Sequence, residues 1–243
     1  MFGRGLKTLS LITVALIVGA FALVFFYAPN EADQGFIQKI FYLHVPLAIV
    51  ALCGFVAGGI YGILYLRSGD RMHDLRSYVA IHLSLILGVG ALVTGSIWAK
   101  ASWGVWWTWD EPTLVSFLIV FLLYACYQPL RFSIDDPERQ SRYAAVFSIV
   151  AGAFVPLNFM AVRLAQPLVH PRVLSTTGGS MPGEMRITFY LSLIAMALLF
   201  VTLWKYELAS KSATFRLRAL KRKLAGDEEV WAGNPRRSAA PTL

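Results

Sequence analysis

The sequence predicts an all-α polytopic membrane protein with six transmembrane helices, and three observations carry that reading. The 243 residues are 57% hydrophobic and only 15% charged, with a mean hydropathy of +0.59. A soluble domain of this size could not bury so much apolar surface, whereas a bilayer solvates it. Six stretches free of formal charge are long enough, at about 17–25 residues, to cross the hydrocarbon core. None shows the apolar alternation over about ten residues that a barrel strand requires.

The first stretch, Leu9–Ala28, follows Arg4 and Lys7. It is long for a signal-peptide core and no small-x-small cleavage site follows it, so it reads as a retained helix. The others run Val45–Leu66, Tyr78–Ala99, Thr113–Leu130, Tyr143–Val162 and Ile187–Trp204. Each is helical of necessity, because lipid offers no partner for backbone N–H and C=O groups. In the second, Gly54, Gly58 and Gly62 recur every four residues and make a smooth stripe for close helix packing. Cys53 and Cys126 lie inside apolar spans and form no Cys-x-x-Cys pair. They read as small buried hydrophobes rather than as thiol chemistry.

Charge orients the bundle. The N-terminus, Arg67–Ser77, Arg131–Arg142 and the tail from Lys205 hold 17 of the 22 Lys and Arg residues, whereas Pro29–His44, Lys100–Pro112 and Arg163–Arg186 hold five. The positive-inside rule then puts both termini in the cytoplasm and the second set of loops outside. The expected organisation is a membrane domain over residues 1–206 and a basic cytoplasmic tail over residues 207–243. Within the tail, Phe215–Leu224 is expected to lie along anionic headgroups, and the residues from Gly233 on are expected to be disordered. A net charge of +8 distributed in this way does not point to nucleic acid, and no nucleic-acid-binding motif accompanies it.

The chemistry-bearing residues gather on the outer side. Five of the seven tryptophans lie between positions 98 and 109. If the middle of this stretch is a short helix, Trp103, Trp106, Trp107 and Asp110 share a face at i, i+3, i+4 and i+7. An interfacial aromatic belt accounts for one or two tryptophans per loop, not for five in twelve residues. A flat, π-rich ligand resting on the platform accounts for them better. Asp110 or Glu111 is expected to cap the fourth helix, with Pro112 in its first turn.

Two histidines flank this platform in sequence. His44 lies at the mouth of the second span and His170 in the third outer loop, each with a proline within two residues to stiffen the backbone that aims it. Two imidazoles on opposite faces of a porphyrin give bis-histidine ligation of haem iron. His73 and His82 fall on the cytoplasmic side; His82 is 16 residues before Trp98, about 24 Å along a helix rising 1.5 Å per residue. The outer cations are Lys39, Lys100, Arg163, Arg172 and Arg186. Arg172, two residues from His170, and Lys100, within the Trp stretch, lead as partners for haem propionates.

The run Trp103-Gly-Val-Trp106-Trp107-Thr-Trp109-Asp110 resembles the WWD signature of haem-handling membrane proteins. Together with Phe41-Tyr-Leu-His44-Val-Pro46, Gly95-Ser96-x-Trp98, the length and the six spans, it resembles the haem exporter protein C (CcmC) family over roughly residues 9–206. The resemblance implies that His44 and His170 are axial ligands of haem b, and that Trp103, Trp106, Trp107, Trp109 and Asp110 form the WWD surface. It implies a bacterial inner-membrane component of cytochrome c maturation that delivers haem to a membrane-anchored periplasmic haem chaperone. The implied partners are that chaperone, an ABC-type ATPase and permease pair and a small single-span subunit. No P-loop or nucleophile–base pair is present, so the expectation is a transport and assembly component rather than an enzyme. A haem–apocytochrome ligase of the same superfamily is the alternative, although such proteins are longer. A respiratory cytochrome b would place its histidine pairs at membrane depth.

Overall fold

A computed structural model describes residues 5–165, 170 and 181–224. Among them, β structure is limited to one isolated bridge between Glu31 and Gly35. The elements are α1 (Leu6–Phe26), a short 3-10 helix (Phe36–Ile40), α2 (Phe41–Ser68), α3 (Arg71–Trp103), α4 (Pro112–Ala125), α5 (Tyr127–Phe132), α6 (Pro137–Leu164) and α7 (Gly183–Leu224). Six helical segments are long and apolar enough to cross a membrane: α1, α2 with its leading 3-10 turn, α3, α4 continued by α5, α6 and α7. The protein is therefore an all-α, multi-pass membrane protein.

The helices overrun the apolar stretches because caps, not hydropathy, end them. Gly69, at φ 68°, terminates α2, and Asp70 then opens α3 by accepting the Met72 N–H at 2.8 Å. A left-handed glycine followed by an aspartate N-cap turns the chain within two residues. At the far end of α3, Gly104 at φ 77° stops the helix directly after Trp103. Helix α7 runs unbroken through Leu224, and the expected disordered end from Gly233 lies outside the described residues.

Helices α2 and α3 pack along each other at the centre, α6 and α7 cover further faces of α2, α1 rests on α7, and α4 on α6. Small residues permit this. A Cβ at Gly58 would sit 2.6 Å from Ile81 Cγ1, and one at Gly59 would sit 2.8 Å from the Ser148 carbonyl oxygen. The glycine stripe is thus divided: Gly54 and Gly58 admit α3, while Gly59 and Gly62 admit α6, the small-residue packing expected where lipid provides no hydrophobic drive. Polar contacts add to it, since the Thr13 and Thr202 hydroxyls share a 2.8 Å hydrogen bond between α1 and α7.

Two expectations change on folding. Cys53 and Cys126 are exposed on the helix surfaces rather than buried in the bundle; a thiol is apolar enough to face lipid as readily as protein. Arg131, expected in a cytoplasmic loop, is buried at 1% exposure. Its guanidinium donates to both Asp74 carboxylate oxygens at 2.8 and 2.6 Å and to the Tyr127 hydroxyl at 3.1 Å, while Ser141 donates to Asp74 at 3.1 Å. This network ties α3, α5 and α6 together at the end of the bundle opposite the tryptophans. Its paired charges are tolerable in the interior because both carboxylate oxygens are met and the guanidinium makes three hydrogen bonds.

Candidate functional site

Four separate stretches of chain converge at one end of the bundle: the first turns of α2, α3 from Ala91 to Trp103, the start of α4, and the end of α6 with His170 beyond it. Between them lies a cavity of about 250 Å³ whose lining includes His44, His170, Trp98, Trp103, Trp107 and Arg163. The two histidines singled out from sequence, 126 positions apart by their numbering, thus share one cavity.

His44 is held by α3. Its Nδ1 lies 3.0 Å from the Ala91 carbonyl oxygen and 3.1 Å from Thr94 Oγ1. A carbonyl can only accept, so Nδ1 carries the proton and Nε2 keeps its lone pair. A second partner that fixes the tautomer and ring orientation is the usual support for a metal-binding imidazole. The ring can lie this close to α3 because residue 95 is glycine: a Cβ there would stand 2.7 Å from His44 Cε1.

His170 sits edge-on to two indoles, with ring centroids 6.1 Å from Trp98 and 6.3 Å from Trp103 at 68° and 72°. Trp98 and Trp103 meet edge-on at 4.8 Å, and Trp98 Nε1 donates to Gln34 Oε1 at 3.0 Å. The His170 backbone N–H donates to Glu111 Oε2 at 3.2 Å. Glu111 is fully buried and is also the N-cap of α4, accepting from Thr113 N at 3.4 Å ahead of Pro112 at the first helical position. One carboxylate therefore anchors both the start of α4 and the backbone that carries His170.

The tryptophan platform differs from its helical expectation. Gly104 ends α3, and residues 104–110 follow bends and a turn, so the i, i+3, i+4, i+7 face does not form. Trp103 and Trp107 reach the cavity together with Trp98, whereas Trp106 and Trp109 are 59% and 73% exposed. Asp110 is exposed as well, and the cap expected of Asp110 or Glu111 is made by Glu111. Trp107 Nε1 is buried without a hydrogen-bond partner among the described residues, which makes it an available donor at the cavity wall.

The cations also sort differently. Lys100 is exposed and donates to the Gly104 carbonyl oxygen at 2.7 Å, completing the α3 terminus, where a cation complements the helix dipole. Lys39 lines a separate cavity. Arg163, at the end of α6, lines the cavity of the two histidines. Arg172 lies outside the described residues. His73 stacks on Tyr61 and His82 on Tyr78, both away from this site. Sequence reading missed three contributors: Glu111 as the His170 anchor, Arg163 as the cavity's cation, and the Ala91–Thr94 turn that orients His44. Glu111 was expected only as a helix cap and Arg163 only as one of five outer cations, and neither expectation tied the residue to this cavity.

The donor set suits a flat, amphipathic metal complex. It offers an imidazole with a free Nε2, a second imidazole in the same cavity, three indole faces, one unpaired indole N–H and a guanidinium. The chain matches the family model described as CcmC, heme exporter protein C, over residues 1–223. It is 30% identical to the heme exporter protein C of Paracoccus denitrificans over 80% of this chain and 81% of that one. To the protein of that name from Rhodobacter capsulatus it is 29% identical over 91% and 92%. A ccmC-like mitochondrial protein of Marchantia polymorpha, named for cytochrome c biosynthesis, is 31% identical over 71% and 72%. On a match that runs through all six spans and the cavity they enclose, the chain belongs to the heme exporter protein C family.

Proposed function

We propose that this protein binds haem b between His44 and His170 at the periplasmic face of the inner membrane and hands it to a membrane-anchored haem chaperone during cytochrome c maturation. Membership of the heme exporter protein C family implies a role in haem export. The observation that carries the finer reading is the pairing of His44 and His170 in one aromatic cavity, with the His44 Nδ1 proton committed to Ala91. Haem iron takes two imidazole nitrogens, and the residues here prepare them: α3 holds one ring by its far nitrogen, and Glu111 holds the backbone of the other.

Trp98, Trp103 and Trp107 form the wall against which a porphyrin packs, and Arg163 is better placed than Lys100 to meet a propionate, with Arg172 a further candidate. Trp106, Trp109 and Asp110 then face outward, where the chaperone would dock. Both termini lie on the cytoplasmic side in this reading, and the basic tail of residues 207–243 follows the membrane domain of residues 1–206. The partners are an ABC-type ATPase and permease and a small single-span subunit, with any ATP hydrolysis performed by the partner rather than by this chain. The test is the absorption spectrum of the purified, haem-loaded protein. A low-spin bis-histidine spectrum that turns high-spin in both His44→Ala and His170→Ala is expected; an unchanged spectrum in both variants refutes the ligation.

A further inference from the structure

A second cavity, of about 220 Å³, lies across the first turn of α2 from the histidine site, between α1, the 3-10 helix, α2 and α7. Its walls are mainly apolar, with Ile17, Phe21, Phe25 and Phe36 on one side. Phe21, Phe25 and Phe36 are 46%, 50% and 64% exposed, so the rim opens on the surface that the bundle leaves to lipid.

Three polar groups line this apolar cavity. Lys39 is 9% exposed, and its ammonium donates to the carbonyl oxygens of Val24 at 2.8 Å and Ala28 at 3.2 Å. An ammonium has three donors, so one is left after these two bonds. Tyr42 and Ser192 are 3% and 7% exposed, and neither hydroxyl has a hydrogen-bond partner among the described residues. Two unpaired hydroxyls in one apolar cavity are unfavourable unless something completes them. All three are hydrogen-bond donors on the wall of one cavity, the chemistry that an oxygen-rich anion accepts. No acidic side chain lines the cavity, so a headgroup bearing its own ammonium would find no counter-charge there. No imidazole or thiol lines it either, which separates it from a haem site.

We propose that this cavity binds one phospholipid with an anionic headgroup, drawn from the leaflet at the His44 end of the bundle. Its phosphate oxygens accept from Lys39, Tyr42 and Ser192, and an acyl chain lies among Ile17, Phe21 and Phe25. Occupancy ties α1 and α7 to the turn of α2 that carries His44.

The test uses the delipidated full chain in detergent, titrated with phosphatidylglycerol, phosphatidylcholine or inorganic phosphate. Native mass spectrometry counts and identifies the adduct, and thermal unfolding gives the stabilisation that a native-state ligand produces. One phosphatidylglycerol is expected to bind at least tenfold more tightly than phosphatidylcholine. Tyr42→Phe/Ser192→Ala removes only unpaired hydroxyls, so the variant should unfold no earlier than the parent without lipid, yet lose most of that affinity. Lys39→Gln should abolish the preference between the two lipids. Equal affinity for both lipids, unchanged affinity in the double variant, inorganic phosphate binding as tightly as the lipid, or a haem adduct in its place would each overturn the proposal.

Discussion

Replacing Gly95 by alanine tests the histidine site at its tightest point. The added methyl would lie 2.7 Å from His44 Cε1 and 3.2 Å from Nδ1, whereas carbon atoms in contact rest at about 3.5–4.0 Å. The imidazole must therefore retreat by about 1 Å. Its Nδ1 hydrogen bonds to Ala91 and Thr94, now 3.0 and 3.1 Å, would both pass the roughly 3.2 Å reach of such bonds. At about 0.5–1.5 kcal/mol for each bond, the loss is about 1–3 kcal/mol. The free protein relieves the clash by turning the ring away, and haem binding has to reverse that motion, so the cost appears in affinity. At about 1.4 kcal/mol per decade, haem binding should weaken roughly tenfold to a hundredfold. The fold should lose only part of this, because alanine in a helix interior is about 0.5–1 kcal/mol better than glycine and offsets some of the lost bonding. The assay is absorbance titration of the haem-free protein, with the low-spin fraction read at saturation. Gly90→Ala on the same helix is the control, since its Cβ meets only the flexible Leu47 side chain at 3.3 Å. Binding within twofold of the parent and an unchanged low-spin spectrum in Gly95→Ala would refute the placement of His44.

Glu111→Ala leaves the His170 N–H without its acceptor and removes the α4 cap; losing a hydrogen bond to a charged group costs about 1.5–3 kcal/mol. Haem titration should show affinity reduced at least tenfold and a raised high-spin fraction, with Glu111→Gln recovering part of both; equal behaviour of the two variants would dismiss the anchor. Trp103→Ala and Trp107→Phe should weaken haem binding, whereas Trp106→Ala and Trp109→Ala should bind haem normally but transfer it poorly to the chaperone. Weakened binding in the second pair would show that the exposed indoles belong to the pocket. Arg131→Met leaves the Asp74 carboxylate buried and unpaired, which should lower stability by about 3–5 kcal/mol. Thermal unfolding in detergent should show less loss for Arg131→Met/Asp74→Leu, and a greater loss for the double variant would contradict the pairing.

Much of the architecture was legible in the chain because a bilayer leaves few choices. Uncharged runs of about 20 residues must be helices, and the Gly69-Asp70 pair carries its own turn chemistry. The histidines were legible as residue types out of place: imidazoles beside apolar spans, at the same end as a cluster of indoles. What misled was local periodicity. Spacing alone allows Trp103, Trp106, Trp107 and Asp110 to share a helical face, but a glycine at position 104 that adopts φ 77° ends the helix before that face can form. Arg131 misled in a similar way, since a loop charge and a buried charge look identical until Asp74, 57 residues away, is brought against it.

The sequence by itself determined the solvent, the number of spans and the end of the bundle that holds the tryptophans, and it named the two histidines as candidates. These follow from hydropathy, length and charge, which are properties of each segment taken alone. Only the tertiary structure decided that His44 and His170 share one cavity, that three of the five clustered tryptophans wall it, that Glu111 rather than Asp110 caps α4 and holds the His170 backbone, and that Arg163 rather than Lys100 lines the cavity. Each of those outcomes depends on contacts between helices far apart in the chain. Such contacts are set by how close two backbones can come, at Gly58 and Gly59 as at Gly95, and no single segment carries that information.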